Sequence, residues 1–404
     1  MDAGSLWQRA DRASVDAGEP PGEADVVIAG GGLLGVWCAF WLARAGARVV
    51  VLEQDAVASG ATGRNSGLVI PTTADPYNQA VSRLGAPVAA DIRGLAVDGA
   101  RTLEETVAAE EISCLYRPGG FLHLALGEQD AAQCRAEIEV TQQHGFEAAW
   151  LDRDTVQSCL GTRLAGTVAG AMLLPGARVN SVALVDGIVT AARRRGARVF
   201  TGVRVTAIDP NGGKPLVHTT RGTLRAGIVI TTVNAWLADL APALRQVIRP
   251  VQGQMLATTP LPGVFPCGMA AQLTAHGEYW QQLPDGTVIV GGCRAVAPPP
   301  DDPLAQRPQL AVHQALQHVL PTLFPDLSGI GIQHAWAGAM AFTPDGLPIV
   351  DEIAESVWAI GGFCGHGMPF GASISRILAG HVTNGDSLAE LTHLRLDRPT
   401  LLSR

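Results

Sequence analysis

A glycine-rich run at residues 29–35, AGGGLLG, constrains the fold of this chain more than any other feature. It follows an apolar stretch at 26–28 that is typical of a strand, and it precedes an apolar, helix-like stretch at 36–45. A second apolar strand pattern at 49–52 then ends at Glu53. A strand, a glycine turn, a helix, a strand and an acidic residue in this order predict a dinucleotide-binding βαβ unit.

Each glycine of the run has a separate physical purpose in such a unit. Gly30 permits the tight turn out of the strand, Gly32 lets the backbone approach a pyrophosphate, and Gly35 allows the helix to pack closely on the strand. The first N–H groups of the helix hold the phosphate charge. Glu53 falls where a ribose hydroxyl needs a carboxylate acceptor. A merely structural glycine turn does not require this complete context.

The loop that follows Glu53 indicates which dinucleotide is bound. Residues 59–67, SGATGRNSG, form a small-residue loop with one arginine and one asparagine, Arg64 and Asn65. Flavin-binding folds need a loop of this kind, and no second GxGxxG unit is visible that would support a nicotinamide-dependent reductase. The sequence therefore predicts FAD.

The loop and four later segments resemble the D-amino-acid-oxidase-like family of FAD-dependent oxidoreductases, which includes glycine oxidase, sarcosine oxidase and gamma-glutamylputrescine oxidase. The resemblance runs in the family's order from about residue 25 to residue 380. The later segments are QGQML at 252–256, EYWQQLPDGTVIVGG at 278–292, WAGAMAFTPDGLPIV at 336–350 and WAIGGFCGHGMPFG at 358–371.

The resemblance implies an α/β (α+β) fold, in which a Rossmann-like FAD-binding domain of the glutathione-reductase type is interleaved with a substrate domain. The substrate domain is expected to rest on a mixed, largely antiparallel sheet. We assign residues 24–75, 165–245 and 333–395 to the FAD-binding domain, residues 76–164 and 246–332 to the substrate-binding domain, and residues 1–23 to a flexible tail.

The motifs and the resemblance together imply a set of cofactor contacts on the glycine turns and loops. These are Gly30, Gly32, Leu33, Leu34, Gly35, Glu53, Gln54, Thr62, Arg64, Asn65, Ser66, Val205, Gly338, Gly362, Gly365, His366, Gly367 and Met368. No cluster with metal-ligand spacing occurs, so no metal is expected.

Three residues are candidates for catalysis. The resemblance places Tyr279 towards the substrate, and Trp280 then points to the core, because successive strand residues face opposite sides. His366 is the titratable group of the GHG loop, read either as a contact to the flavin network or as a satisfied loop histidine. Arg294 is read either as a substrate or flavin contact or as a surface arginine.

Departures from the family pattern bear on substrate and mechanism. Met340 and Pro369 stand where the resemblance implies cations that clamp a substrate carboxylate, so we expect a substrate other than a simple small α-amino acid. Ile289 stands near the position at which the resemblance implies an oxygen-activating lysine, so that role is unfilled. The choice of electron acceptor, oxygen or another carrier, therefore stays open. Gly338 and Arg64 stand near the positions of covalent flavin attachment, so noncovalent FAD is expected.

The leading interpretation is oxidation of a C–N bond of an amine or amino-acid-derived substrate. Hydride transfer to the flavin gives an imine, which hydrolyses to a carbonyl. Two alternatives stay open: a 2-hydroxy-acid dehydrogenase on the same fold, and a flavoprotein subunit that needs a partner.

Charge and cysteine content limit the other partners. The net charge of −8 over 404 residues, with no large basic cluster, argues against nucleic acid as a partner. Seven cysteines without a CxxC pair favour reduced thiols and a cytoplasmic location. No apolar run reaches the roughly 18 residues of a spanning helix, so no membrane insertion is expected. The partners predicted are a small-molecule amine-type substrate and, in a homodimer, a second copy of the chain.

Overall fold

The computed structural model describes residues 4–9, 12–13 and 15–402. The strands in these ranges are β1 (Glu23–Ala29), β2 (Val49–Leu52), β3 (Leu68–Val69), β4 (Arg117–Pro118), β5 (Phe121–Leu126), β6 (Ala149–Asp152), β7 (Val168–Leu174), β8 (Ala177–Arg178), β9 (Arg198–Phe200), β10 (Val205–Asp209), β11 (Leu216–Thr219), β12 (Gly222–Thr231), β13 (Arg249–Thr258), β14 (Gly268–Ala271), β15 (Glu278–Gln282), β16 (Val288–Gly292), β17 (Ile332–Phe342), β18 (Ile349–Ala354) and β19 (Val357–Gly361).

The α-helices in the same ranges are α1 (Leu33–Arg44), α2 (Tyr77–Leu84), α3 (Ala86–Ala109), α4 (Gly127–Gln143), α5 (Arg153–Cys159), α6 (Ser181–Arg194), α7 (Leu237–Leu240), α8 (Leu310–Leu323), α9 (Gly371–Asn384) and α10 (Pro399–Leu402). Short 3₁₀ turns join them, two of which, Leu6–Arg9 and Ala61–Arg64, lie near the site described below. Within the described ranges, no helix combines the length and the apolar character needed to cross a bilayer.

The first sheet is built around the predicted βαβ unit. Its parallel strands run in the order β9, β2, β1, β12 and β19, and β10, β11 and β18 extend it with antiparallel pairs. Helix α1 is apolar on nearly all sides, which is the pattern of a buried helix. It packs against α6 and α9, and Trp37 and Phe40 are fully buried there.

The second sheet has the strand order β17, β13, β16, β15, β14, β5, β7 and β6. Only the β14–β5 pair is parallel, so the expectation of a mixed, largely antiparallel sheet is confirmed. A core of edge-to-face rings, Phe265, Trp280 and Phe324, lies on one face of this sheet. Because the chain passes between the two sheets several times, both sheets contribute to any site between them.

Two strands belong to a different sheet from the one that the assigned domain boundaries predict. Strand β7 lies inside the range 165–245, and strand β17 apart from its first residue lies inside 333–395. Both ranges are assigned to the FAD-binding domain, but both strands pair within the second sheet. Turn residues and local patterns determine where the sequence places these boundaries. The partner of a strand, by contrast, depends on register with residues far along the chain, which local patterns do not reveal.

The flexible tail assigned to residues 1–23 needs correction for its described part. Residues Leu6–Arg9 form a 3₁₀ turn, and Ser5 and Trp7 are only 1% and 4% exposed. One tryptophan in a polar segment gives no periodic signal, so its burial against another loop is invisible in the sequence. Residues 1–3, 10, 11 and 14 of this segment lie outside the described residues.

Candidate active site

A cavity of about 1150 Å³ extends from the glycine turn of the first sheet to the face of the second sheet. Ligand sites in proteins usually measure about 300–1,000 Å³. The cavity therefore has room for an extended ligand together with a smaller one.

The glycine turn brings the start of α1 to the cavity wall. Gly30 has a φ of +107°, and a Cβ there would lie 2.9 Å from the Thr232 Oγ1. A Cβ on Gly35 would collide with the carbonyl oxygen of Gly30, so only glycine permits this approach of helix and strand. The Leu33 N–H donates to the Thr62 Oγ1 at 3.1 Å. The N–H groups in the first turn of a helix have no partner inside it, and this end of α1 borders the cavity, as binding of an anion there would require.

Glu53 follows β2 at the same end of the sheet. Its carboxylate accepts the backbone N–H of Gly31 at 2.7 Å and that of Asp55 at 2.9 Å. Burial raises the pKa of Glu53, although these two hydrogen bonds oppose the shift. The side chain is a buried acceptor at the cavity wall, as a ribose hydroxyl requires.

Loop 59–66 crosses the cavity wall between β2 and β3 and is tied to distant segments. The Arg64 Nη1 donates to the carbonyl of Ala337 on β17 at 3.0 Å, and the Trp336 Nε1 donates to the carbonyl of Arg64 at 2.9 Å. The Asn65 Nδ2 donates to the Met368 Sδ at 3.3 Å. The loop is thereby held against both the second sheet and the segment before α9.

Gly338 on β17 lies on the cavity wall directly beside this loop. A Cβ at this position would lie 2.9 Å from the Cβ of Arg64. Any side chain at 338 would therefore press on Arg64. The two positions near which the resemblance places covalent flavin attachment therefore carry a glycine and an arginine whose side chain packs against it.

Tyr279 lies on β15 and faces the cavity, whereas its neighbour Trp280 is fully buried on the opposite face. The tyrosine ring packs over Gly291 of the adjacent strand, where a Cβ would lie 2.5 Å from the Tyr279 Cε2. Burial raises the pKa of Tyr279. The phenol therefore stays protonated and offers the cavity a hydrogen-bond donor.

His366 lies in the loop before α9 and also lines the cavity. Its Nδ1 lies 3.2 Å from the carbonyl oxygen of Cys364, so Nδ1 carries the proton and Nε2 is left as an acceptor. Burial lowers the pKa of His366 and Arg294 lowers it further, although the hydrogen bond to Cys364 and the charge of Asp75 oppose the shift. The imidazole is thus held neutral.

Arg294 follows β16 and completes this group. Its guanidinium carbon lies 4.8 Å from the centre of the Phe342 ring. Burial lowers its pKa, but an arginine remains charged in proteins. Among the described residues, no acidic side chain forms an ion pair with it. The second-sheet end of the cavity therefore holds a half-buried positive charge that pairs with no carboxylate of the described residues.

Most residues that the sequence assigned to the site lie on the wall of this one cavity. Tyr279, His366 and Arg294 line it, as do all the assigned cofactor residues except Gly35 and Gly362. Gly35 lies behind the wall in the helix–strand contact. Gly362 has a φ of +75°, and its N–H donates to the Asn234 Oδ1 at 3.2 Å. These two glycines shape the backbone next to the cavity.

Some residues that depart from the family pattern line the cavity wall, whereas another is buried in the core. Met340 and Pro369 line the cavity and give it apolar surface. Ile289 is fully buried in the core and brings no charge near the wall. Cys364 lines the cavity, whereas Cys293 is buried with its thiol 3.5 Å from the Glu278 Oε1.

Sequence reasoning missed several polar residues of the wall. Alternation along β5 places His123 on the same face as Phe121, but it does not show that this face borders a cavity. The others lie on elements without a recognisable motif. The missed residues include Gln8, Arg12, His123, Glu137, Arg204, Thr232, Asp239, Gln272 and His276.

Comparison with known proteins places this geometry in a family. The family described as FAD dependent oxidoreductase, DAO, matches residues 25–380. Gamma-glutamylputrescine oxidoreductase of Escherichia coli (strain K12) is 27% identical, over 91% of this chain and 87% of that protein. The probable oxidoreductase OrdL of Rhizobium meliloti (strain 1021) is 26% identical, over 91% and 86%.

A solved structure supports the same fold. The crystal structure of glycine oxidase from Geobacillus kaustophilus matches with a TM-score of 0.78 and 23% identity, over 94% of this chain and 99% of that chain. This likeness and the two sheets confirm the predicted arrangement of a Rossmann-like domain and a substrate domain. With the family match across most of its length, this chain belongs to the FAD dependent oxidoreductase family, DAO.

Proposed function

We propose that the protein binds FAD noncovalently in this cavity and oxidises a C–N bond of an amine or amino-acid-derived substrate. The observation that carries the proposal is the continuity of the cavity. One wall runs from the glycine turn at Gly30, past Glu53 and loop 59–66, to Tyr279, His366 and Arg294.

The residues at the first-sheet end suit the two polar parts of a dinucleotide. The start of α1 offers N–H groups to a pyrophosphate, and Glu53 offers acceptor oxygens to a ribose. Loop 59–66 and the backbone at 365–368 would hold the remainder. Gly338 has no side chain that could bond to the flavin, and a Cβ there would collide with Arg64. Both facts support noncovalent binding.

The chemistry at the other end follows from protonation states. Bound FAD supplies an acceptor for the hydride that leaves the carbon next to the substrate nitrogen. Neutral His366 takes a proton from the substrate ammonium at Nε2, so the nitrogen lone pair can assist the departure of the hydride. The Tyr279 hydroxyl donates a hydrogen bond that orients the substrate. The substrate loses two electrons and becomes an iminium ion, which water converts to a carbonyl compound and a free amine or ammonia.

The apolar residues Met340 and Pro369 support a substrate other than a simple small α-amino acid. A carboxylate on the reacting carbon needs a cation close by, and these two wall positions offer none. Arg294, next to Tyr279, suits an acidic group farther from the reacting carbon. We therefore favour an amino-acid-derived amine in which the oxidised carbon carries no carboxylate. Oxygen or another carrier would then accept the electrons.

One observation favours a second candidate, oxidation of a 2-hydroxy acid. His366 is held neutral near Arg294, which forms no ion pair with a described carboxylate. Oxidation of a 2-hydroxy acid requires a base for the hydroxyl proton and a cation for the carboxylate. A requirement for a partner subunit is a third possibility.

The substrate class is tested by mixing the FAD-loaded protein anaerobically with a panel of compounds and following the flavin absorbance. The panel contains amines without a carboxylate, N-acylated diamines bearing a distant carboxylate, small α-amino acids and 2-hydroxy acids. We expect bleaching by amines of the first two classes. Bleaching by small α-amino acids or only by hydroxy acids contradicts the proposal, and no bleaching at all favours a missing partner.

A further inference from the structure

Residues 4–8, which we call the N-terminal strap, lie along loop 59–66 and form part of the cavity wall. Gly4, Ser5 and Gln8 line the cavity. Ser5 and Trp7 are almost fully buried, so the strap is packed into the protein rather than resting on its surface.

Two side chains of the strap donate hydrogen bonds to backbone carbonyls of the loop. The Ser5 Oγ donates to the carbonyl of Gly63. The Trp7 Nε1 donates to the carbonyl of Asn65 at 2.7 Å. These bonds reach the part of the loop whose Asn65 side chain contacts Met368 across the cavity wall.

A third donor and a contact from the second sheet complete the arrangement. The Gln8 Nε2 donates to the carbonyl of Ser59 at 2.9 Å, near the start of the loop. The His334 Nε2 on β17 donates to the carbonyl of Gly4 at 2.7 Å. The strap is thus bonded to both ends of the loop and to the second sheet.

The composition of the loop explains why outside donors matter. Loop 59–66 is made largely of glycine, alanine, serine and threonine, which pack little apolar surface, and glycine loses the most conformational freedom on ordering. The space beside it is also filled by the strap. A Cβ on Gly63 would lie 3.0 Å from the Gln8 Nε2, and one on Gly67 would lie 3.3 Å from the Trp7 Cζ2.

We propose that the N-terminal strap is a positioning element of the cofactor site, which holds loop 59–66 against the cavity and slows the release of FAD. The inference rests on the proposed binding of FAD. It assigns Ser5, Trp7 and Gln8 to cofactor retention, with no contact to the reacting atoms.

The test uses Trp7→Phe in the full-length protein, because this change keeps an aromatic ring and removes only the N–H donor. FAD binding to the apoprotein is titrated by flavin fluorescence, and the release rate is measured after dilution of the holoprotein. We expect the dissociation constant to rise about twofold to tenfold, mainly through faster release. Ser5→Ala should act in the same direction, and deletion of residues 1–8 should raise the constant further.

The matched control is Trp41→Phe, since the Trp41 Nε1 has no hydrogen-bond partner among the described residues and lies outside the cavity. It should leave FAD affinity and release unchanged. Wild-type affinity and release in both Trp7→Phe and Ser5→Ala overturn the inference. So does an equal loss of thermal stability in apoprotein and holoprotein with an unchanged dissociation constant, which is the result of a merely structural strap. Failure of the wild-type protein to bind FAD refutes the proposed function itself.

Discussion

His366 shows at the scale of a single residue how the fold sets chemistry. A histidine in a glycine-rich loop is recognisable in the sequence, but its protonation state depends on burial and on Arg294, which lies 72 positions earlier in the chain. The carbonyl of Cys364 fixes the tautomer. The structure therefore converts a loop histidine into a neutral proton acceptor at the cavity wall.

The pH dependence of the reaction should report this histidine. Because the pKa of His366 is lowered from its ordinary value of 6.5, the residue gains a proton, and loses its acceptor, only as the pH falls below about 6.5. We expect kcat/KM to have an acidic limb with a midpoint below that value, after correction for protonation of the substrate amine. His366→Asn should abolish this limb and lower kcat/KM by about 10²- to 10⁴-fold. An identical limb in the variant would assign the titration to another group.

Arg294 should discriminate between substrates by charge. Removing a charged side chain that donates a hydrogen bond to an anionic ligand costs about 1.5–3 kcal/mol of binding free energy. Arg294→Ala should therefore raise KM roughly 10- to 100-fold for an amine that carries a distant carboxylate, and less than about threefold for one that does not. Arg245→Ala, at an exposed arginine outside the cavity, is the control and should leave both values unchanged. Equal changes for both substrates would mean that Arg294 acts on folding or on the cofactor.

The sequence predicts residues best where backbone geometry demands one residue type. Gly30 and Gly35 follow from the collisions that any Cβ would cause there. Polar wall residues such as His123 and Glu137 have no such signature, because their position depends on how β5 and α4 meet the cavity. The spacing of residues within a motif thus reveals the cofactor end more fully than the substrate end.

At the scale of elements, helix α3 supplies an internal comparison between two glycines. A Cβ on Gly94 would meet nothing within 4 Å, whereas one on Gly99 would collide with the carbonyl of Pro369 on the cavity wall. Alanine is favoured over glycine inside a helix by about 0.5–1 kcal/mol. Gly94→Ala should therefore stabilise the protein by about that amount.

Gly99→Ala should do the opposite. The added methyl group pushes α3 away from the segment that carries His366, so we expect a loss of about 1–3 kcal/mol in stability and weaker FAD binding. Urea denaturation of the apoproteins and FAD titration measure the two effects, with Gly94→Ala as the matched control. Unchanged stability and affinity in Gly99→Ala would show that α3 and this segment are not in close contact.

The elements themselves follow from local patterns more readily than their partners do. The strand–turn–helix signal at 26–45 predicts β1 and α1 because the glycine turn and the apolar runs are contiguous. The sheet membership of β7 and β17 depends on pairing across long stretches of chain, which no local pattern encodes. The buried strap was missed for the same reason, since Trp7 is buried by a loop more than fifty residues away.

At the scale of the whole molecule, the cavity joins the two sheets, so its ligand should stabilise both. A ligand at 100 times its dissociation constant stabilises the native state by about 2.7 kcal/mol. FAD added to the apoprotein at that level should raise Tm by at least a few degrees in a single transition. NAD at the same concentration is the control. A shift confined to one of two separate transitions would indicate that FAD contacts only one sheet.

We expect the protein to break a C–H bond next to an amine nitrogen and to yield a carbonyl product. The most direct test is an anaerobic single turnover with the amine that bleaches the flavin most rapidly, followed by trapping of carbonyl compounds and assay of released amine or ammonia. The proposed reaction should give about one equivalent of carbonyl compound and one of amine or ammonia for each flavin reduced. Flavin reduction without release of amine or ammonia, or with a product that keeps its C–N bond intact, would contradict the proposed reaction.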